Sequence, residues 1–348
     1  MKSKLLLLVL TTIFSITILA QDKPSGKVHG YLFGDYFYKL GGNEKEVSSS
    51  QYSKVKKADQ AFQFRRLYLY YDHTFNEKFA AQFLLEGNDG SLDGKDRYGI
   101  FVKTAYLEWK DIIPYASLGI GLYPTPTWSW GVSEKIWNYR SVEKTVADFR
   151  KMGNSTDFGV ALRGKFDAEG NYGYGFMIAN GGGTTAEKDK YKKYYGVLNA
   201  KLTKGFIVEA YADYEPAALD KDRTTLKGFA GYQTSDFTVG VEALQQIQKK
   251  SSKAGLDQTP FAIALFAWAP LTSGLNGFVR YDFYNPDTKI SNAGFNENFF
   301  VVGLDYMPIK DVHIMPNIWV NSFSDKSSAG LKKDADVVAR VSFFFVYK

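Results

Sequence analysis

The chain has 348 residues, of which 45% are hydrophobic, 16% aromatic and 23% charged, with 32 glycines, no cysteine and a formal net charge of +6. The missing cysteines exclude a disulfide framework and any thiolate metal site. So mild a charge over this length excludes nucleic acid as a partner and a polybasic membrane-binding surface.

In chain order, Lys2 and Lys4 precede an apolar run from Leu5 to Leu19, and Ala20 gives way to the polar stretch QDKPSGK. This pattern predicts a signal peptide over residues 1 to 20 and a single mature domain over 21 to 348. No later stretch is apolar long enough to cross a bilayer as a helix, which needs about 20 residues.

What recurs instead is a segment of about ten residues alternating apolar with polar or small, bounded by Gly, Pro, Asn, Asp or Lys. Sixteen such segments read as strands, at approximately 27–38, 61–73, 78–86, 100–110, 115–123, 155–166, 172–180 and 191–202, then 206–214, 224–234, 236–246, 260–269, 275–284, 297–306, 312–322 and 335–347. In the third, Phe79, Ala81, Phe83 and Leu85 share one face and Gln82 and Glu86 the other. The second loses its phase across Arg65 and Arg66, which predicts a bulge there. In the last, Ala339, Val341, Phe343, Phe345 and Tyr347 fall on alternate positions.

Connections alternate between short and long along the whole chain, as an up-and-down meander with one tight end and one elaborate end requires. An even number of long amphipathic strands fits an all-β, transmembrane, antiparallel up-and-down barrel of about 16 strands better than a soluble sandwich, whose strands average five or six residues. Tyrosines and tryptophans near segment ends, among them Tyr70, Tyr71, Trp109, Tyr123, Tyr194, Tyr195, Tyr281 and Tyr284, suit the aromatic girdles of such barrels. The last strand is then expected to face lipid and to pair with the first. Its alternating apolar residues and late aromatic resemble the ending read by the outer-membrane assembly machinery, with Lys348 one residue past the aromatic.

Three stretches carry a family likeness: FQFRRLYLYYDHTFNEKFAAQFLLEG, TAYLEWKDIIPYASLGIGLYPTPTW and TDFGVALRGKFDAEGNYGYGFMIANGGG. Their arginine-marked strand with a tight hairpin, the glycine and proline ahead of a long connection, and the strand pair ending in Asn-Gly resemble the phosphate-selective porin O/P-like family of outer-membrane porins. The resemblance implies a sixteen-stranded porin, an inward-folded third long loop and a homotrimer. The family's arginine and lysine arrangement has no residue-by-residue counterpart here.

Function should then lie in the lumen. Strand phase turns Arg65, Arg163, Lys165, Lys201, Lys227, Arg280 and Arg340 inward, with Asp35, Glu86, Glu108, Glu209, Asp213, Glu242, Asp282 and Asp305, a balanced wall. The third long connection, residues 124 to 154, carries five aromatics that need burial, and a helix is expected from Ser141 to Met152, capped by Ser141. Lys135, Arg140, Lys144, Arg150 and Lys151 outnumber Glu134, Glu143 and Asp148 there, so the loop is the expected constriction, with a mild anion preference. His29, His73 and His313 stand too far apart to read as metal ligands, and no nucleophile motif occurs; no enzyme activity, metal or cofactor is expected. The expected function is passive diffusion of small hydrophilic or anionic solutes through an integral protein of a Gram-negative-type cell outer membrane. The alternative is a barrel whose long loops act as an adhesin or binding surface.

Overall fold

The computed structural model describes residues 24–42, 51–88, 98–128, 130, 132–327 and 329–348. The expected signal peptide and parts of the first two long connections lie outside the described residues. Those described form sixteen strands. The first eight are β1 (Ser25–Gly41), β2 (Gln60–Thr74), β3 (Phe79–Asn88), β4 (Gly99–Ile113), β5 (Ala116–Pro124), β6 (Thr156–Lys165), β7 (Tyr172–Ala179) and β8 (Lys193–Thr203). The second eight are β9 (Phe206–Glu215), β10 (Arg223–Gln233), β11 (Thr238–Gln248), β12 (Phe261–Thr272), β13 (Leu275–Asn285), β14 (Phe295–Ile309), β15 (Val312–Asp325) and β16 (Asp336–Tyr347). Each expected segment holds one strand; β1, β4 and β14 run further than alternation alone suggested.

Every strand pairs antiparallel with its sequence neighbours, and β1 pairs with β16 to close the barrel. Closure leaves no sheet edge unpaired. The tight end is set by side chains that satisfy turn amides: Asn76 Oδ1 accepts from the backbone N–H groups of Lys78 and Phe79, both at 2.9 Å, and the Asp167 carboxylate does the same for Asn171 and Tyr172.

Alternation decides which face looks out, because slipping the register by one residue would reverse every side chain. Val160, Phe176, Leu198, Leu226 and Leu265 point outward and are 45% to 56% exposed. An apolar belt of this extent fits lipid as its surroundings and not water. The last strand keeps the expected phase: Val341 and Phe345 are exposed, Arg340 and Ser342 buried. The aromatic girdle needs a correction. In the doublets, Tyr71 and Tyr194 face out, whereas Tyr70 and Tyr195 belong to inner-wall clusters, as do Tyr123 and Tyr284. Two adjacent strand residues cannot share a face.

The expected bulge is present. Phe33 pairs with Arg66 and Gly34 with Phe64, which leaves Arg65 as the extra residue on β2. A second bulge was not anticipated: Leu84 pairs with Thr104 and Leu85 with Val102, which leaves Lys103 extra on β4. The hydrophobic core lies inside the barrel, between the wall and the connection that follows β5.

Candidate functional site

The described residues between 125 and 155 turn back into the barrel. The described part contains two short helices, α1 (Ser133–Trp137) and α2 (Val146–Phe149). All five aromatics of this loop that can be described are buried. Trp137 packs 5.2 Å from the Phe266 ring, Tyr139 4.5 Å from Phe278, and Phe149 5.1 Å from Phe299.

The long helix expected from Ser141 to Met152 is reduced to α2, and Ser141 does not cap it. The cause is competition for carbonyls that a helix would use in its first turn. Arg65 and Arg340 both donate to the Val142 carbonyl, at 2.8 and 3.1 Å, and Arg280 donates to that of Lys144. Other wall groups act likewise: Trp268 Nε1 donates to Ile136 O at 2.9 Å, Gln246 to Met152 O at 3.2 Å, and Lys227 to Thr127 O. Trp319 Nε1 donates to the Glu143 carboxylate at 2.8 Å, and Arg150 pairs with Glu297 at 2.7 Å. Burial works to raise the Glu143 carboxyl, but Arg65 and Arg340 beside it hold it below the ordinary glutamate range. The loop is therefore fastened along its length by hydrogen-bonding side chains from β2 and from β10 to β16.

Its opposite side faces β2, β3 and β4. There the two bulges bring Arg66 and Lys103 to Glu86, with Arg66 Nε at 2.8 Å from one carboxylate oxygen and Lys103 Nζ at 3.1 Å from the other. From the loop, Arg140 lies 3.5 Å from both Glu134 and Asp148 and donates to the Tyr68 hydroxyl at 3.2 Å. Lys144 lies 3.9 Å from Asp148, one helical turn on, as its spacing implied. Burial acts to raise Asp148, yet Lys144 and Arg140 hold its carboxyl below the ordinary range. At Glu134 burial prevails over Arg140 and the carboxyl is pushed up, with a quarter of the side chain still exposed.

The residues singled out from sequence divide into groups. Lys135 and Lys151 are exposed, Arg140 and Lys144 are half-buried, and Arg150 is sealed against Glu297, with its guanidinium over the Phe149 and Tyr284 rings. Arg163 points inward and pairs with Glu108 at 3.7 Å while half exposed; Lys165 and Lys201, also inward by phase, are exposed near the tight end. Arg65, Lys227, Arg280, Arg340, Glu209 and Asp282 point inward too, but they are buried beneath the loop. Their partners are close: Lys227 and Glu209 are 2.8 Å apart, and Arg280 and Asp282 are 2.5 Å apart. An open wall is thus not where these six stand. His29 and His313 face inward against Asp72 and Asp305, at 2.7 and 2.9 Å, and His73 stacks edge-on against Phe75.

Sequence reasoning missed Arg66, Lys103 and Tyr52. The Arg65–Arg66 doublet at a phase break was a legible signal for two inward arginines; Lys103 sits where the outward residues change from Ile100 and Val102 to Leu107 and Trp109, a second phase break that went unread. Tyr52, in the first long connection, is fully buried inside the barrel, with Trp319 at 5.1 Å and Gln63 donating to its hydroxyl at 3.2 Å. Its sequence reads only as a long polar stretch after the first strand, with nothing that marks an inward position.

The same architecture recurs in solved structures. The chain is similar to an anion-selective porin from Comamonas acidovorans (14% identity, TM-score 0.66, 93% of this chain and all of that one). It is also similar to the outer membrane channel DcaP of Acinetobacter baumannii (10%, 0.68, 94% and 99%). The fold is that of the outer-membrane porins. A third example is OmpT of Vibrio cholerae, an outer membrane protein in its trimer form (12%, 0.57, 93% and 100%). No protein-family model and no curated protein matches the sequence.

Proposed function

We propose that the protein is an integral outer-membrane porin that lets small hydrophilic solutes and ions diffuse passively, with a mild preference for anions. The observation that carries this reading is the third long loop, fastened inside a closed barrel while its charged side stays turned to β2–β4. Inward-facing Asp72 and Arg163 retain 43% and 49% of their side-chain exposure, so water reaches the lumen along the wall that the loop leaves uncovered. A sixteen-stranded barrel is wide enough for such a path.

The constriction on this reading is formed by Arg140 and Lys144 from the loop and Arg66 and Lys103 from the wall, facing Glu86, Glu134 and Asp148. Four basic groups against three carboxylates tip a nearly balanced set toward positive charge. Arg150 makes no contribution to the field, because Glu297 neutralises it behind the loop. The preference is then weaker than the loop's composition suggested. A neighbour named for anion selectivity supports the same direction. Residues 1 to 20 serve export, β16 is the segment read by the assembly machinery, and the barrel works as a homotrimer, as the trimer form of a neighbour supports. No catalytic step is assigned.

Planar-bilayer recording tests both levels. Purified protein should give ohmic conductance steps and a reversal potential on the anion side in a potassium chloride gradient. Changing Arg140 and Lys144 together to Glu should move that potential to the cation side. Absence of steps would end the porin reading, and an unmoved potential would remove these two residues from the constriction.

A further inference from the structure

Every pairing in the barrel but one joins strands adjacent in sequence, and a connection ties each such pair together. The exception is the seam between β1 and β16, where Gly30 stands opposite Tyr347 and Gly34 opposite Phe343. No turn fixes that register, and bringing the two ends of the chain together costs the closure entropy of everything between them. The seam therefore needs fastenings of its own.

The outer face of β1 provides them. Gly26, Gly30 and Gly34 recur at every fourth residue and share the outward phase of Val28. Glycine inside a strand is weak by itself, because it has no side chain to pack. Here each one lies under a ring from a neighbouring strand, an arrangement that compensates for the missing side chain. A β-carbon added to Gly30 would stand 2.6 Å from Tyr347 Cζ, one added to Gly34 2.6 Å from Phe343 Cζ, and one added to Gly26 2.9 Å from the Tyr71 ring. Only glycine leaves the rings room to lie so close. Tyr347 reaches further still. Its hydroxyl crosses β1 and donates to the Tyr68 carbonyl on β2 at 2.8 Å, so one side chain braces three strands.

Exposure follows the seats. Phe345, on the same outward face between the two seated rings, stands opposite Leu32 and is exposed, whereas Phe343 and Tyr347 are only partly so. A third fastening lies on the inner face at the elaborate end, where the Lys39 ammonium of β1 meets the Asp336 carboxylate of β16 at 2.8 Å, both buried.

We propose that the outward glycines of β1 are seats for the terminal aromatics of β16, and that seating Phe343 and Tyr347 is the last step of closure, which locks the barrel shut. The inference goes beyond the assembly duty given to β16 above and needs only the closed barrel. A contact made last shows in the rate of opening rather than of closing. Barrels purified from membranes are therefore warmed in detergent, with no assembly machinery present, and the loss of the fast-migrating form in gels is timed.

The decisive comparison is Phe343→Ala against Phe345→Ala, the same residue on the same face of the same strand, with and without a glycine beneath it. Phe343→Ala should open about fivefold faster than wild type and Phe345→Ala less than about twofold faster. Tyr347→Phe, which keeps the ring but loses the bond to Tyr68, should fall between wild type and Tyr347→Ala. Equal opening rates for Phe343→Ala and Phe345→Ala would overturn the latch. So would fewer barrels in the membrane with an unchanged opening rate, since the rings would then serve assembly alone. If Phe343→Ala yields no barrels, Phe343→Leu against Phe345→Leu makes the same comparison with apolar bulk retained.

Discussion

Lys227 and Arg163 both project from barrel strands into the interior, yet the Lys227 side chain is 1% exposed and that of Arg163 is 49% exposed. The difference lies in what faces them. Beneath the third loop, Lys227 is enclosed by Glu209, Glu242 and a loop carbonyl, whereas Arg163 meets Glu108 at the loop's margin, with only the Trp130 ring beside it and half of its side chain in the open lumen. One side of the lumen is thus a folded core, with aromatic packing and ion pairs removed from water. The other is a solvated surface built from the same residue types. Buried pairs of the first kind are weak evidence of stability but strong constraints, because removing one partner strands the other in a dry site. Pairs of the second kind are screened and contribute about 0–1 kcal/mol.

The comparison breaks most visibly at Arg280. It is buried, holds Asp282 and donates to the Lys144 carbonyl from the centre of the sealed side. Arg280→Met would leave the Asp282 carboxylate unpaired, at a cost of about 3–5 kcal/mol, and would release the turn before α2. The expected outcome is a lower unfolding temperature of the barrel in detergent gels together with a larger and noisier single-channel conductance. Wild-type conductance in a stably folded variant would mean the loop is held elsewhere.

Arg150 offers a sharper cut, because composition alone placed it with the constriction. Arg150→Gln keeps a donor for Glu297 but removes the charge-assisted bond, worth about 1.5–3 kcal/mol. Thermal stability should fall while the reversal potential stays put. A reversal potential that moves as far as in the Arg140 and Lys144 double variant would put Arg150 on the open side.

These two cases also mark what the sequence carried. Strand number, phase and the closing of β16 onto β1 follow from a period of two and from connection lengths, both local properties. Inward direction followed as well, and every lumen candidate does point inward. What the inner face then meets is a long-range fact. Ser342 shares its phase with Arg340 on β16 and is wholly buried, bonded by Asn317, because Tyr52 and the third loop fill the space in front of that strand. No periodicity in a strand reports on a loop two hundred residues away. The bulges lie between these extremes: both break the phase of their strand, but the break at Arg65–Arg66 is marked by a charged doublet, whereas the one at Lys103 shows only as outward residues passing from Ile100 and Val102 to Leu107 and Trp109.

On the open side the next expected effect is electrostatic and depends on pH. Burial raises the Glu134 carboxyl above the ordinary glutamate range, whereas Lys144 and Arg140 hold Asp148 below its own. As pH falls from neutral, Glu134 takes up its proton first, and the constriction gains one unit of positive charge while Asp148 remains ionised. Anion preference should therefore rise on mild acidification, before the ordinary carboxylate range is reached. Reversal potentials measured from pH 7 downward check this, and Glu134→Gln should remove the pH dependence and fix the acidic value. A preference that falls with pH would reverse the assignment.

The smallest effect is expected at Lys135 and Lys151, the two exposed lysines of the loop. Each adds a positive charge to the count that suggested anion preference, but neither sits between converging walls, and the field of an exposed charge is screened within about 10 Å at 0.1 M salt. Arg140, by contrast, is held within reach of Glu134, Asp148 and the Tyr68 hydroxyl, where low-dielectric walls concentrate its influence. Changing both lysines to Ala should shift the reversal potential only slightly at 0.1 M salt and, because screening weakens on dilution, more clearly at 0.01 M. A shift that persists undiminished at 1 M salt would show that the lysines stand inside the narrow path after all, and the boundary between the two sides of the lumen would have to be moved to include them.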